Sequence, residues 1–570
     1  MSVDNKESLS EALKLHQSGD WKLAHIAYKQ ILDNDFYHPQ ANYLLGLLLS
    51  QQKEYSKSTV YLERAMPYLS GNADLANALS INYQKNGLLD VAYNFINTAI
   101  EINPYSPHFH HRKAKILIDQ EQFIEAINQA SIAISIDNNF IPAYLTISHC
   151  YQLLQKPNRS IKFLQNSLNK VTEGHQRILF NLVDLYIEIM KFDEAKSIIN
   201  TLRKTGNYHS ECYALQAMIN KELNQPIAAI ENLRASISAD KNNIIANWNL
   251  SLIHLKNKSF QAGWKLYDLG FLVNQRFTKS HKSIPTWKGE SLIEKDILII
   301  NEQGIGDEIM FSLFYDEIYA SSALCTIICE PRLIDMLEAT FPDAEFCSRD
   351  AQLNKNQIYD YSITAGSIAQ YSDSDITEKK VSLQIPKDYI PPRKIKKSSK
   401  LMNIGFSWKG GTSYKERIRR SSHIRDWQEI FHTGNCHFWC LQPSMTEQDR
   451  KFLDKFSNNN ISYLDNDDLN NDLNFVATVI KEMDLVISVD NSVTHLSGAL
   501  GNETLCLLPF CSDWRWAFDD TKSYWYKDVT LIRQNKPGNW KSAFKEAKKY
   551  LVNLASHRLY TNPKQQEVET

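Results

Sequence analysis

A short turn, Gly304-Ile305-Gly306-Asp307, stands where an apolar β-branched run gives way to an amphipathic segment. Glycine lets the backbone pass close to a ligand, and a helix N-terminus offers unpaired N–H groups, so this turn suits an anion such as a phosphate. Asp307 alone has a second interpretation, because aspartate is a common helix cap. A dinucleotide fingerprint needs a third glycine that this turn does not have, which argues against NAD binding.

A second stretch of this kind runs from Ser488 to Gly501. It begins as an apolar strand and continues as a helix rich in small residues. The hydroxyls of Ser492 and Thr494, the backbone donors of the helix start and the imidazole of His495 would converge on an anion there. A lone histidine in the first turn of a helix is more often structural, so the local residues leave both interpretations of His495 open.

Three patterns suggest metal ligands, and each has a simpler interpretation. The pairs Cys325/Cys329 and Cys436/Cys440 lie in strand-like segments. Four strand residues span about 13 Å, too far for two thiolates to share an ion. The acidic string at 465–468 lies in an Asn/Asp-rich segment and lacks the glycine of a calcium loop. The sequence therefore predicts core cysteines, a turn at 465–468 and no metal site.

The segments that position these residues alternate between strands and helices from Asp296 onward. Such alternation is typical of βαβ units with a parallel sheet. The predicted strands are 297–300, 326–329, 402–407, 437–441, 485–489, 504–508 and 529–532, and a closing helix is predicted from Trp540 to about Ser556. A basic, proline-containing stretch at 391–400 divides the strands into two lobes. Ligands of such sheets bind at the carboxyl ends of the strands.

The first half of the chain repeats every 34 residues, with one step of 35. Small residues recur in one column, a bulky or ring-bearing residue stands three positions before each, and a second, mostly small column lies about 12 positions earlier. The first column is Ala24, Ser58, Ala92, Ala126, Ser160, Ala195, Ala229 and Gly263. Antiparallel helices approach closely only where both carry small side chains, so the columns predict stacked helical hairpins that end near residue 270.

Composition and charge restrict the function. A chain of 570 residues is too long for one core, and a formal net charge of -2 gives no general field for nucleic acid or anionic lipid. The N-terminus lacks the features of a signal peptide, and no apolar run has the length that spans a bilayer. Nine scattered cysteines suit a reducing compartment. We expect a soluble cytoplasmic protein with no nucleic-acid partner and no integral membrane segment.

Three sequence stretches in combination resemble an enzyme family. EQGxGDxIxF at 302–311, VDxxxxHLxGALG at 489–501 and LLPFxxDWRW at 507–516 are similar to the motifs of heptosyltransferase-like glycosyltransferases with the GT-B fold. More narrowly, the chain resembles the bacterial proteins in which this domain follows TPR repeats, and the resemblance covers nearly its whole length. It implies an inverting, metal-independent glycosyltransferase that needs no cofactor and takes a nucleotide sugar as donor.

The resemblance also implies residue roles. Asp307 is the general base that takes a proton from the acceptor hydroxyl. The residues implied at the donor are Gly304, Gly306, Lys409, Arg420, Asp490, Asn491, Ser492, His495 and Trp514. The basic loop after Trp408 would neutralise the leaving phosphate or is simply a solvated loop; it holds Lys409, Lys415, Arg417, Arg419 and Arg420. Trp514 would wall the donor pocket or is part of the core. Asn491, in place of the usual threonine or serine, and Glu503-Thr504 depart from the family pattern and bear on donor preference.

The 34-residue repeat is similar to the tetratricopeptide (TPR) repeat, whose superhelix has a concave face that binds a peptide or protein. An asparagine ladder, found in related O-linked N-acetylglucosamine transferases, is missing from the corresponding column: Asn42, Ala76, His110, Tyr144, Ile178, Tyr213, Asn247. We expect the array to present a protein acceptor, flagellin-like or other, with dimerisation or spacing as the alternative. For the whole protein, the alternatives are a lipid-linked or lipopolysaccharide glycan as acceptor, and a non-catalytic scaffold. A homo-oligomer is compatible with either.

The predicted fold class is an α-solenoid followed by an α/β pair of Rossmann-like lobes. The predicted bounds are 1–270 for a TPR solenoid of seven to eight repeats, 271–295 for a connector, 296–390 for the acceptor-side lobe, 391–400 for a linker, 401–556 for the nucleotide-sugar-binding lobe and 557–570 for a tail. Because the period changes near residue 270, a fragment beginning near Lys282 is expected to bind donor while it loses the acceptor.

Overall fold

The structure is a computed structural model that describes residues 3–206, 208–276, 284–350, 357–372, 376, 378–411, 414–456, 460–464 and 466–561. Lys282, Asp465 and the side chain of Lys415 fall outside this description. The chain forms two compact units, Met1–Lys204 and Thr205–Thr570. The first unit is helical, and the second combines helices with two parallel sheets.

Helices α1 to α12 of the first unit pair in chain order into hairpins. They are Val3–Ser18, Trp21–Asn34, Pro39–Gln51, Tyr55–Ala65, Ala73–Lys85, Leu89–Ile102, Pro107–Asp119, Phe123–Ile136, Ile141–Leu153, Pro157–Ser167, His175–Glu188 and Phe192–Lys204. The second unit opens with two further hairpins and a short helix. These helices, α13 to α17, are His209–Glu222, Pro226–Ala239, Ile244–Lys256, Phe260–Tyr267 and Leu269–Leu272. None of the helices in the described ranges is long and apolar enough to cross a bilayer.

The two small-residue columns meet inside the hairpins. The Ser58 hydroxyl donates to the Gly46 carbonyl at 2.5 Å, and the Ser251 hydroxyl donates to the Gly263 carbonyl at 2.8 Å. A Cβ added at Gly46 would stand 2.5 Å from the Leu62 side chain, so the crossing has no room for a larger residue. The predicted helical repeat is therefore confirmed, together with the reason for it: small side chains let the two helices of a hairpin cross closely.

The turn inside each of the eight hairpins from α1 to α16 contains one residue with a left-handed backbone. This position is Gly19 and Gly87 in two repeats and a non-glycine residue in the others: Lys53, Glu121, Gln155, Met190, Asn224 and Lys258, with φ between 57° and 64°. Non-glycine residues adopt this conformation at some cost, so packing of the flanking helices imposes it.

The first sheet is parallel, with the order β3-β2-β1-β4. Its strands β1 to β4 are Asp296–Ile300, Leu324–Cys329, Glu345–Ser348 and Tyr361–Thr364. The helices α18 to α21 are Ile305–Phe311, Tyr315–Tyr319, Ile334–Thr340 and Ala365–Ile368.

The second sheet is also parallel, with the order β10-β9-β8-β5-β6-β7. Its strands β5 to β10 are Met402–Ser407, Cys436–Cys440, Ile461–Tyr463, Leu485–Val489, Thr504–Leu508 and Val529–Arg533. The helices α22 to α28 are Tyr414–Arg420, Gln428–Phe431, Glu447–Leu453, Asn466–Asn471, Leu473–Lys481, Ser492–Ala499 and Trp540–Thr561. The strand order reverses between β5 and β8, and such a switch point is where open α/β sheets bind ligands.

The fold class is confirmed as a helical repeat region followed by parallel α/β sheets. The prediction of a turn at 465–468 is wrong, because residues 466–468 begin helix α25. The strands β3, β4 and β7 were not predicted, since each has only three or four residues. The last hairpin of the repeat is completed by α16, which contains Gly263 of the small-residue column.

Helices α15 and α16 share one hydrophobic core with both sheets. Trp248, Trp264 and Tyr267 pack in the same cluster as Ile299 of β1 and Leu508 of β9. The end of the sequence period near residue 270 is therefore not a boundary between compact units, and the last two hairpins belong to the unit that contains the sheets.

Candidate functional site

The two predicted anion-binding turns lie against each other. Helix α18 follows β1, helix α27 follows β8, and the first turns of the two helices are in contact. A Cβ added at Gly306 would stand 2.7 Å from Cδ2 of His495, so the second glycine of the GxGD turn is what lets the helices approach. The carboxyl ends of β1 and β8 thus form one site.

Asp307 lies at the third position of α18 and not at the cap. The cap is Gly304, whose N–H donates to Oδ2 of Asp307 at 3.3 Å, while Nε of Arg515 donates to Oδ1 at 2.8 Å. The Asp307 side chain is 17% exposed. Arg515 holds Oδ1, whereas Oδ2 has, among the described residues, one long hydrogen bond from the Gly304 N–H.

Five charged side chains alternate in sign across the site. They run in the order Asp490, Arg420, Asp513, Arg515 and Asp307. Arg420 Nε lies 3.3 Å from Asp490, and its NH2 group lies 3.6 Å from Asp513. Arg515 contacts both Asp513 and Asp307, and these carboxylates hold its pKa well above its ordinary value despite burial. The same two guanidinium groups hold the pKa of Asp513 well below its ordinary value.

Asp490 lies at the buried end of this row of five charged side chains. Its side chain is 1% exposed, and neither carboxylate oxygen has a hydrogen-bond partner among the described residues. The Arg420 contact and His495 Nε2, at 4.0 Å, compensate its charge only at longer range. A buried carboxylate without donors is costly, so this position can accept hydroxyl donors from a ligand.

His495 is a buried, neutral histidine. It is 4% exposed, and its Nδ1 lies 2.8 Å from the Tyr526 hydroxyl. Burial lowers the pKa of His495 from 6.5 to about 4, and this outweighs the opposite effect of Asp490 and Asp307. The Trp516 ring lies 5.1 Å from the imidazole, centroid to centroid. The residue therefore joins the site to the aromatic core.

The low pKa of His495 predicts a pH effect on stability. Between pH 6.5 and about 4, His495 binds a proton in the unfolded chain but not in the folded protein. The free energy of unfolding therefore falls as the pH falls through this window. Replacing His495 by glutamine should remove up to about 1.4 kcal/mol per pH unit of this dependence. Tryptophan fluorescence in urea checks it, because every tryptophan except Trp21 is in the second unit. An unchanged pH dependence would contradict it.

The start of α27 differs from the predicted arrangement. The Thr494 hydroxyl donates to the Val489 carbonyl at 2.7 Å and is buried, so the prediction that it faces an anion is wrong. Asn491 caps the helix through Oδ1, and its amide donates to Ser407 of β5 at 2.8 Å. Asn491 thus connects the end of β8 to the end of β5 at the switch point. Ser492, at the first position of the helix, is exposed.

Much of the predicted basic loop is helix α22, and three of its cations are paired with carboxylates. Lys409 forms an ion pair with Asp449, and Arg420 takes part in the charged chain. Arg419 donates to Glu222 of α13 at 2.8 Å, while Arg417 is exposed. A Cβ added at Gly410 would stand 2.3 Å from the Asp490 carbonyl, so this loop passes directly over the end of β8.

Trp514 lies in the core, in agreement with the simpler of its two interpretations. It is 5% exposed and packs edge-on against Trp264 and Tyr267 at 5.5 and 5.8 Å between centroids. The Arg515 guanidinium lies 4.7 Å from the Trp514 ring centroid. The ring therefore supports Arg515 from the side of the helical hairpin.

A buried ion pair joins the GxGD turn to the helices before it. Arg276, just after α17, donates to Glu302 at 2.7 Å, and both side chains are fully buried. Burial raises the pKa of Glu302 to about 7, against the effect of Arg276. Gln303, with φ of 67°, donates to the Tyr267 hydroxyl at 3.1 Å and accepts from Arg515 at 3.1 Å.

Helices α13 and α15 hold the loop that carries Arg515. Lys256 of α15 is 1% exposed, donates to the Ser512 carbonyl at 2.7 Å and lies 4.3 Å from the Phe518 ring centroid. The Asn224 amide, after α13, donates to the Phe510 carbonyl at 3.3 Å. Both cationic loops of the site are therefore positioned by the helical repeat.

The sequence interpretation missed the ion-pair partners. Arg515 and Asp513 were recognised only as part of a tryptophan-containing motif, and Arg276 and Glu222 were not singled out. The signal that could have found them is charge in otherwise apolar surroundings, as in Asp513-Trp514-Arg515-Trp516. The prediction of core cysteines is confirmed for Cys325, Cys329, Cys436 and Cys440, which are free and buried. Within the described ranges no cluster of three or more potential metal ligands occurs.

Comparison with known proteins gives one relative over nearly the full length. The chain is 23% identical to Protein FlbA of Caulobacter vibrioides (strain ATCC 19089 / CIP 103742 / CB 15) over 570 residues, which covers 95% of this chain and 88% of FlbA. No protein-family model matches the sequence.

Solved structures resemble the helical part. A tetratricopeptide repeat protein from Parabacteroides merdae ATCC 43184 is 15% identical, with a TM-score of 0.36, over 44% of this chain and 98% of its own. MamA is 19% identical, with a TM-score of 0.28, over 30% of this chain and 93% of its own. Pseudomonas aeruginosa pilF is 15% identical, with a TM-score of 0.29, over 36% of this chain and 93% of its own.

Proposed function

We propose that the protein transfers a sugar from a nucleotide donor to a protein acceptor presented by the helical repeats. The observation that carries this proposal is the meeting of two parallel sheets at their carboxyl ends, where Asp307 and Asp490 lie at the two ends of one chain of charges. Two guanidinium groups, Arg420 and Arg515, stand between them. Cations and a carboxylate base are the groups that such a transfer requires.

The proposed reaction is a single displacement. The acceptor oxygen forms a bond to the anomeric carbon of the donor, the bond from that carbon to the nucleotide phosphate breaks, and the phosphate leaves with the electron pair. The acceptor proton goes to Oδ2 of Asp307, the oxygen that Arg515 does not hold. Inversion at the anomeric carbon follows from attack opposite the leaving group.

The remaining residues have supporting roles in this proposal. The carboxylate of Asp490, which has an ion pair with Arg420 but no hydrogen-bond donor among the described residues, accepts hydroxyl groups of the sugar donor. The start of α27 with Ser492, together with Arg420, faces the donor's phosphates. Asn491 acts by capping α27, because its side-chain oxygen and amide already have protein partners. His495 is held through Nδ1 by the Tyr526 hydroxyl, and its Nε2, 4.0 Å from Asp490, lies next to the proposed donor site.

A non-catalytic binding protein is the second candidate. It is favoured by the hydrogen bonds that Asp307 accepts from both Arg515 and the Gly304 N–H. A carboxylate whose oxygens are both used in structural hydrogen bonds is less able to accept a proton from a substrate. This candidate predicts that a nucleotide sugar binds but is not turned over.

A panel of nucleotides and nucleotide sugars in a thermal-shift assay tests donor binding, because a ligand of the folded state raises its melting temperature. We expect one nucleotide-sugar class to raise it. Replacing Arg420 by glutamine should then weaken binding by about 1.5–3 kcal/mol, the value of a hydrogen bond to a charged group. Arg417→Gln, an exposed position on the same helix, is the matched control. No shift with any donor, or equal losses in both variants, would reject the proposal.

A further inference from the structure

Helix α15 carries a buried cation that has no carboxylate partner. Lys256 is 1% exposed. Its ammonium donates to the Ser512 carbonyl at 2.7 Å and to Sγ of Cys511 at 3.4 Å, and it lies 4.3 Å from the Phe518 ring centroid. Its partners among the described residues are therefore a carbonyl, a thiol and an aromatic ring, and none of them carries a full negative charge.

Burying this charge lowers the stability of the fold. Burial lowers the pKa of Lys256, and this effect outweighs the opposite influence of Cys511 and Glu222. A buried ammonium without a charged partner costs free energy, and an apolar side chain of similar volume in its place often leaves a protein equally or more stable. The stability of the fold therefore does not explain why a lysine stands at this position.

The ammonium holds the loop of residues 510–518, here called the β9 loop because it follows that strand. The loop carries Arg515, whose N–H donates to the Asp513 carboxylate at 3.2 Å and whose guanidinium pairs with the same carboxylate. The Ser512 hydroxyl donates to the Ala517 carbonyl at 3.2 Å and so closes the loop. A cation bound to the Ser512 carbonyl therefore fixes the loop next to the point where it closes.

The β9 loop contains a strained backbone. Ala517 has φ of 54° and ψ of −174°. Residues other than glycine rarely adopt this combination, and it persists only where surrounding contacts impose it. Arg533 donates to the Ala517 carbonyl at 3.4 Å, and the Asn224 amide donates to the Phe510 carbonyl at 3.3 Å. The conformation of the loop is thus imposed by side chains that bind its carbonyl groups, and Lys256 is one of them.

We infer that Lys256 is a positioning residue, whose buried ammonium holds the β9 loop in the conformation that directs Arg515 to Asp307, at a cost to the stability of the fold. The role given to Arg515 rests on the proposed function, whereas the hold on the loop does not. Proteins commonly lose stability at positions where function needs strain or a buried charge. In an ordinary structural role, by contrast, removing the side chain would destabilise the protein.

Lys256→Met in the full-length protein tests this inference, because methionine is similarly unbranched and has no charge. We expect the midpoint of thermal unfolding to stay the same or to rise. Hydrogen exchange followed by mass spectrometry should show the amides of residues 511–517 exchanging at least about 10-fold faster, since the loop opens more often without the contact. Peptides from α28 should exchange as in the wild type. With the donor found in the ligand panel, turnover should fall by about 10-fold or more, because Arg515 is less often in place.

Lys258→Met is the matched control. Lys258 follows the same helix and pairs with Asp520, just after the β9 loop, at 2.9 Å, but its side chain is 46% exposed. An exposed ion pair contributes little, so loop exchange and turnover should stay within about two-fold of the wild type.

Several results would overturn the inference. A fall of more than about 4 °C in the unfolding midpoint of Lys256→Met would mean that the ammonium serves the fold. Unchanged exchange in the β9 loop, equal effects of the two variants, or a loosened loop with unchanged turnover would also count against it. If the wild-type protein turns over no nucleotide sugar, the proposed function fails, while the unfolding midpoint and the exchange rates still decide whether Lys256 holds the loop.

Discussion

Asp307→Asn should lower turnover by about 10²–10⁴-fold, the usual contribution of a general base, while donor affinity stays within a few-fold. Asparagine keeps an oxygen that can accept from the Gly304 N–H, but it cannot take the acceptor proton. The rate of nucleoside diphosphate release from the donor found in the ligand panel measures the effect. Turnover within a few-fold of wild type would mean that Asp307 is not the base.

The contact with Arg515 makes a matched control necessary. Arg515 lies between Asp307 and Asp513, so removing either charge leaves the guanidinium, whose side chain is only 10% exposed, with one carboxylate. Each variant should therefore lose about 1–3 kcal/mol of stability. Only Asp307→Asn should also lose turnover in the fraction that remains folded. An equal loss of turnover in Asp513→Asn would show that Asp307 acts by orienting Arg515.

A fragment that begins near residue 282, where the repeat period has ended, should fail to fold. It lacks Trp248, Trp264 and Tyr267, which pack in the core shared with both sheets. It also lacks Arg276 and leaves the carboxylate of Glu302, fully buried in the folded protein, without its partner. Losing one large buried side chain costs about 3–5 kcal/mol, and losing one partner of a buried ion pair costs about as much. Together these losses are as large as or larger than the total stability of a typical domain, about 5–15 kcal/mol.

A fragment that begins at Thr205 is the matched control, because it contains the whole second compact unit. It should show a cooperative thermal transition by tryptophan fluorescence, retain donor binding and lose the protein acceptor. The shorter fragment should show no such transition. If the shorter fragment folds and binds donor, the last two hairpins are not required for the stability of the two sheets.

Much of the fold could be read from local patterns. The small column containing Ser58 and Gly263 predicts hairpins because a hairpin crossing is a local event, with both partners 12 residues apart. The strands at 402–407, 485–489 and 504–508 were predicted with their observed bounds, since buried parallel strands are continuous apolar runs. The short strands and the helix at 466–471 carry no such run, so tertiary contacts decide them.

For the candidate site, the sequence by itself determined which loops are exceptional. Glycines, small residues and polar groups at strand ends single out 304–307 and 490–495, because these positions break the local pattern. It also determined that β1 and β8 belong to parallel sheets, whose strand ends carry ligand loops.

Only the tertiary structure decided what those residues contact. Asp307 and Arg515 are 208 positions apart, and Lys256 and Ser512 are 256 apart. No local period connects such pairs, because they meet only after two sheets and the last helical hairpins have packed together. The local sequence determines the helices and strands. The burial and pairing of charges, which set the properties of the site, arise only from their packing.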